Sequence, residues 1–161
     1  MELSGTLART NTVGTHTGTD QISHSKTQTF TDGSGANQAS AWFSSQFDAT
    51  TGGITISLAD SADPLGGAGD EVPTADPEGL KIRVVMIENT DDTNYVELSE
   101  GTNAITSWLG GTTPTVRIPA GGVLLQTFPS GLDAINDGAD DEIKITANTD
   151  SCTVKISVIY G

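Results

Sequence analysis

The sequence predicts an all-β fold: an antiparallel β-sandwich or jelly-roll-like domain with an extended N-terminal arm. Three observations carry this expectation. Apolar and polar residues alternate in several short segments after residue 53, the two-residue period of a half-buried strand. Gly, Pro, Asn and Asp cluster between those segments, and 19 glycines supply the turns an antiparallel chain needs. No stretch holds the apolar spacing of a helix longer than a turn or two, and the one place for such a turn is near Gln38–Gln46. A chain of 161 residues has room for one domain with a core plus an extension.

Residues 1–53 are read as the arm and residues 54–161 as the sandwich. The arm is polar and turn-rich, with isolated apolar points at Leu3, Leu7, Val13, Ile22 and Phe30, then Trp42, Phe43 and Phe47. Such a segment buries too little apolar surface to offset its ordering entropy, so much of it is expected to be disordered unless something holds it. Phe30, Trp42, Phe43 and Phe47 are its candidate anchors, either on an open face of this chain's own sandwich or on a partner chain.

The strands follow in order. In "GITISLA", Ile54, Ile56 and Leu58 alternate with Thr55 and Ser57. "ADPLGGAGDEVPTADPEG" is a long loop or mobile hairpin. "LKIRVVMIENT" places Ile82, Val84 and Met86 on one face with Val85 and Ile87 on the other, and a strand apolar on both faces belongs at the centre of a sheet. "DDTN" is a turn, and "YVELS" returns with Tyr95 or Val96 inward. "AITSWLGG" connects to "TVRIPAGGVLLQTF", where Pro119, Gly121 and Gly122 make a corner. The final hairpin runs Ile143, Ile145, Ala147, a turn at 148–151, then Cys152, Val154, Ile156, Val158 and Tyr160 without a break in alternation. Trp108, in the connection, is expected in the core or at a subunit interface.

The composition excludes more functions than it selects. A net charge of −14, from 21 acidic and 7 basic residues, repels phosphate backbones and anionic lipid, so neither nucleic acid nor a membrane is an expected partner. No apolar run approaches a membrane span and the N-terminus lacks a signal peptide's regions, so the chain is expected to be made in the cytoplasm and to stay soluble. Cys152 is the only cysteine, which rules out an intrachain disulfide; its alternating apolar neighbours mark a buried structural thiol. His16 and His24 stand in no ligand spacing, and no nucleophile elbow, phosphate loop or dinucleotide fingerprint occurs. "DGSGANQ" reads as a turn. Asp140 and Asp141 would bind calcium only if carbonyl oxygens converged on them, and the solvated hairpin tip is the simpler reading. No enzyme, cofactor or metal is expected.

The order of motifs is informative beyond its chemistry. "QTFTDGSGANQ", then "LKIRVVMIENTDDTN", then "IPAGGVLLQTF", then "DEIKITANTDSCTVKISVIYG" resembles a group of small tailed-bacteriophage virion proteins, over most of the chain from Gln28. The resemblance implies a structural virion component, above all a capsid decoration (cement) protein that binds the major capsid protein shell as a homo-oligomer, expected to be a homotrimer. Phe30, Trp42, Phe43, Phe47 and Trp108 are then the candidate partner-binding residues. A tail, fibre or head–tail connector component is the alternative within that class. From another class comes a carbohydrate-binding module, which would need Trp108 and Tyr95 to form an exposed flat platform.

Overall fold

The computed structural model describes residues 2–13, 16–59, 77–109, 115–136 and 138–161, with side chains described from Gln28 onward apart from Thr106 and Ser107. The long loop expected after residue 58 falls largely outside the described residues. The chain divides into two units, Met1–Thr31 and Asp32–Gly161. In the first, β1 (Glu2–Val13) and β2 (His16–Thr27) pair antiparallel, in register from Glu2 opposite Thr27 to Val13 opposite His16. The expected disorder is replaced by a hairpin. A ladder satisfies backbone donors and acceptors whatever the side chains, and this one is rich in β-branched Thr. Phe30, at the end of this unit, is half-buried.

The second unit holds the sandwich. Two residue pairs, β3 (Thr31–Asp32) and β4 (Gln38–Ala39), form a small ribbon around Gly33–Asn37. Eight strands follow: β5 (Ala41–Ala49), β6 (Ile54–Ser57), β7 (Ile82–Asn89), β8 (Val96–Glu100), β9 (Thr115–Ile118), β10 (Val123–Thr127), β11 (Glu142–Ala147) and β12 (Cys152–Tyr160). Sheet I has the order β10-β7-β12-β5 and sheet II the order β6-β11-β8-β9, all antiparallel. The pairing is nested: the first of the eight strands lies beside the last, the second beside the seventh, the third beside the sixth, and the fourth beside the fifth. One helical turn, α1 (Thr106–Leu109), links β8 to β9.

The expected boundary after Gly53 is displaced because β5 is a sheet strand. It pairs with β12 along its whole length, from Ala41 opposite Tyr160 to Ala49 opposite Cys152, and the helical turn expected near Gln38–Gln46 does not form. Phe43 and Phe47 are 1% and 3% exposed, with ring centroids 6.3 Å apart, and so they belong to the core that the arm was expected to lean on. Around them the sheets close over Ile56, Leu98, Ile143, Ile145, Val154, Ile156 and Val158, side chains whose burial contributes about 1.5–3 kcal/mol each.

β7 departs from simple alternation. Ile159 faces Val84 while the next residue, Tyr160, faces Ile82, so Arg83 is the extra residue of a β-bulge. The bulge shifts the phase: Ile82 points into the core with Val85 and Ile87, whereas Val84 and Met86 do not join the core cluster. β7 is nonetheless central, between β10 and β12. At the far end of the strand, buried Asn89 ties two turns together, its Nδ2 donating to the carbonyls of Asn94 (2.8 Å), Pro119 (3.1 Å) and Ile118 (3.3 Å). The expected turn after it is built on Asp91, whose Oδ1 accepts the backbone N–H groups of Asn94 (2.6 Å) and Thr93 (2.8 Å); these bonds hold its carboxyl below the usual range.

Candidate interaction face

Opposed residues of an antiparallel pair project from the same face, so the register assembles the outer face of sheet I row by row. One row runs Trp42, Ile159, Val84, Thr127 across β5, β12, β7 and β10. The next is Ser44, Ser157, Met86, Leu125, and the third Gln46, Lys155, Glu88, Val123. Six of these twelve positions are apolar. Among the described residues Trp42 (50% exposed) and Val123 (56%) are the large hydrophobic residues most open to solvent; Met86, Leu125 and Ile159 are half-buried, and Val84 is buried at 2% exposure. Only Lys155 and Glu88 are charged, and they face each other at 3.9 Å. The hydroxyls of Ser44 and Ser157 bond to each other at 2.8 Å, so neither needs another partner.

Sheet II presents the opposite character. Its outward positions are Thr55 and Ser57 on β6, Glu142, Lys144 and Thr146 on β11, Glu97 and Ser99 on β8, and Thr115 and Arg117 on β9, with no aliphatic or aromatic side chain among them. Arg117 pairs with Glu97 at 3.0 Å and covers the Tyr95 ring at 3.8 Å from its centroid. The acidity of the protein is just as unevenly spread. Residues 1–31 hold two basic and two acidic residues, so the whole net charge of −14 belongs to residues 32–161, yet little of it lies on the outer face of sheet I.

The end of sheet I is braced by Arg83. The bulge turns its guanidinium toward the Gly33–Asn37 loop, where Nη2 donates to the carbonyls of Gly35 (2.9 Å) and Ser34 (3.0 Å) and Nη1 to that of Pro129 (3.2 Å). Arg83 is 1% exposed, and its Nε has no hydrogen-bond partner. Gly131 makes room for it: a Cβ there would lie 2.8 Å from Nη1, and φ is +85°. Asn37 N donates to the same Pro129 carbonyl at 3.0 Å, and Gln38 Oε1 accepts from Gly35 N at 2.7 Å. "DGSGANQ" is therefore a turn, as the sequence predicts, and it is tied to the start of β5 and so to Trp42.

The candidate residues separate. Phe43, Phe47 and Trp108 are core; Trp108 is 9% exposed and its indole N–H donates to Gln126 Oε1. Trp42 alone among them stands on the outer face of the sandwich. Trp108 is buried and Tyr95 is covered by Arg117, so these two do not make the flat platform that sugar binding requires. Asp141 turns inward and accepts the Ser57 hydroxyl at 2.6 Å, and Glu142 accepts the Asn103 backbone N–H at 2.9 Å. Among the described residues no group of three or more His, Cys, Asp or Glu side chains could hold a metal ion, and no helix is long and apolar enough to cross a membrane. His16 and His24 lie in β2, opposite Val13 and Gly5, with their side chains outside the described residues.

Two features escaped the sequence reading: the outward apolar set of sheet I and the Arg83 brace. An arginine inside the apolar run "KIRVVMI" was the available signal for the second. No family model, no curated protein and no solved structure matches the chain.

Proposed function

We propose that this chain is a non-enzymatic virion structural protein, a capsid decoration protein that binds the major capsid protein shell as an oligomer assembled through an outer sheet face. The observation that carries the reading is the apolar outer face of sheet I on an otherwise strongly acidic domain. Large apolar side chains left open to solvent on one sheet face favour association, and their usual reason is a partner. Among the described residues the carboxylates of Asp91, Asp141 and Glu142 are engaged in turns and strand contacts.

The fold belongs to the same proposal. Nested pairing of eight strands, outermost with outermost, is a long antiparallel hairpin rolled over itself, which is the jelly-roll plan. Jelly rolls recur in viral capsid proteins and in lectins, so this support is an analogy of fold and does not by itself select a function. Between the two, the face favours the structural role: the cross-strand neighbour of Trp42 is Ile159, where a sugar site would place amide or carboxylate groups.

The test is to purify particles of a virus that carries this protein and quantify the chain against the major capsid protein. A copy number comparable to that of the capsid protein supports decoration of the shell. A few copies per particle point to a connector, tail or fibre position, and absence from particles overturns the virion reading.

A further inference from the structure

We propose that the outer face of sheet I is the contact surface for a second copy of this chain, related by a two-fold axis that runs along the strands midway between β7 and β12. The inference rests on reading this face as a contact surface and not on the virion assignment.

The argument is self-complementarity, the property an isologous contact requires. Such an axis lays the mate's β12 over β7 and its β10 over β5 while keeping each row in place. In the third row, Lys155 of each copy comes over Glu88 of the other, so the charges of this pair meet their opposites twice. In the second row, Met86 and Leu125 come over the mate's Ser157 and Ser44. Large side chains thus meet small ones, and those two serines have already satisfied each other's hydroxyls. In the first row Trp42 comes over the mate's Thr127, while Val84 is already buried within its own chain and adds no contact area there. The same operation applied to sheet II would bring its carboxylates Glu97 and Glu142 into a face already rich in charge, without apolar area in return.

Net charge opposes a second copy everywhere on the domain, least of all on this face, and the size of the face suits a copy as the occupant. Residues 32–161 carry the full −14, so copies repel through most of their surface; the sheet I face, with the Lys155–Glu88 pair and Asp48 as its charges, keeps that cost low. Four strands about 4.8 Å apart and about six residues long, rising about 3.4 Å each, cover about 400 Å². With side-chain relief, two such faces bury roughly the 1,000 Å² at which specific interfaces begin. The pair is therefore expected to dissociate on dilution. A homotrimer, which the family resemblance implies, would require a heterologous contact that this pattern does not suit.

The experiment is analytical ultracentrifugation of the full chain over a wide concentration range, with circular dichroism confirming that each variant is folded. The wild type is expected to pass from monomer to dimer as concentration rises. Leu125→Glu is expected to leave only monomer, while Thr146→Glu on sheet II leaves the equilibrium unchanged. Lys155→Glu alone and Glu88→Lys alone are each expected to weaken pairing on the order of tenfold or more, because each sets like charges over like. Mixing those two variants is expected to restore a heterodimer, an outcome that an intrachain effect cannot produce. A wild type that stays monomeric, a trimer, a dimer indifferent to Leu125→Glu, or a mixture of the two charge variants that stays apart would each overturn the proposal. Particle copy number is read independently, so a protein that pairs but is absent from particles loses the virion reading and keeps this one.

Discussion

Sheet I and sheet II close over one core, and from the inside they are alike: alternating Ile, Val, Leu and Phe side chains from both bury against each other. Outside they diverge. Sheet II turns hydroxyls, carboxylates and two cations to solvent, the ordinary solution for a half-exposed antiparallel sheet. Sheet I repeats aliphatic and aromatic residues on both faces. The inward set closes the core, and of the outward set of sheet I Trp42 and Val123 stay open to solvent while Val84 is buried.

That comparison is broken most severely from within. Phe43→Ala empties a core position and is expected to cost about 3–5 kcal/mol in urea unfolding, whereas Trp42→Ala, one residue away on the outer face, is expected to cost less than about 1 kcal/mol while weakening association. Equal destabilisation by the two would mean that the outer face is structural. Next in size is Arg83→Met. It strips donors from the carbonyls of Pro129, Ser34 and Gly35 and is expected to cost about 2–4 kcal/mol, with faster amide exchange at Asn37 and Gln38. Unchanged exchange there would show that the loop does not depend on the guanidinium.

Alkaline titration tests the shared interior. Burial pushes the Tyr160 phenol far above its ordinary value, and its hydroxyl donates to the Leu58 carbonyl at 3.3 Å. The unfolded chain releases this proton at about pH 10 while the folded chain retains it. The stabilisation is thus complete below that pH and declines above it, by about 1.4 kcal/mol per pH unit until the folded value is reached. Phenolate absorbance from Tyr160 should accordingly appear together with loss of the sheet signal; its appearance in the intact fold would place the ring nearer solvent. The smallest effect belongs to sheet II. Arg117→Ala removes an exposed ion pair and a cation–π contact, and is expected to cost about 0.5–1 kcal/mol with no change in association.

Much of the sandwich was legible because its strands obey the two-residue period: β6, β8, β11 and β12 turn inward the residues the alternation nominates, and the Asp91 turn falls where "DDTN" lies. β5 was hidden by its own spacing. Phe43 and Phe47 are four residues apart, which puts them on one side of a helix and of a strand alike, and the serines between them offer no tie-breaker. β7 misled through a single inserted residue. Ile82, Val84 and Met86 look like one continuous face, but the bulge at Arg83 puts Ile82 on the opposite side from the other two. The expectation of a central strand apolar on both faces holds, since β7 lies between β10 and β12 and Val84 is buried as well as Val85 and Ile87. The β1–β2 hairpin had no apolar pattern to read, because its pairing runs through the backbone.

Cys152 gives the molecule a built-in clock. It is the only thiol, fully buried in β12 opposite Ala49 at the end of the β5–β12 seam. Burial, reinforced by the nearby carboxylates Asp91 and Asp150, raises its pKa, so the closed form offers a reagent neither access nor thiolate. A thiol probe therefore counts only the moments at which the seam unzips, and the labelling rate reports the breathing of the strand pair that joins the beginning of the sandwich to its end. Whatever grips the outer face of sheet I should slow that clock without touching the sulfur.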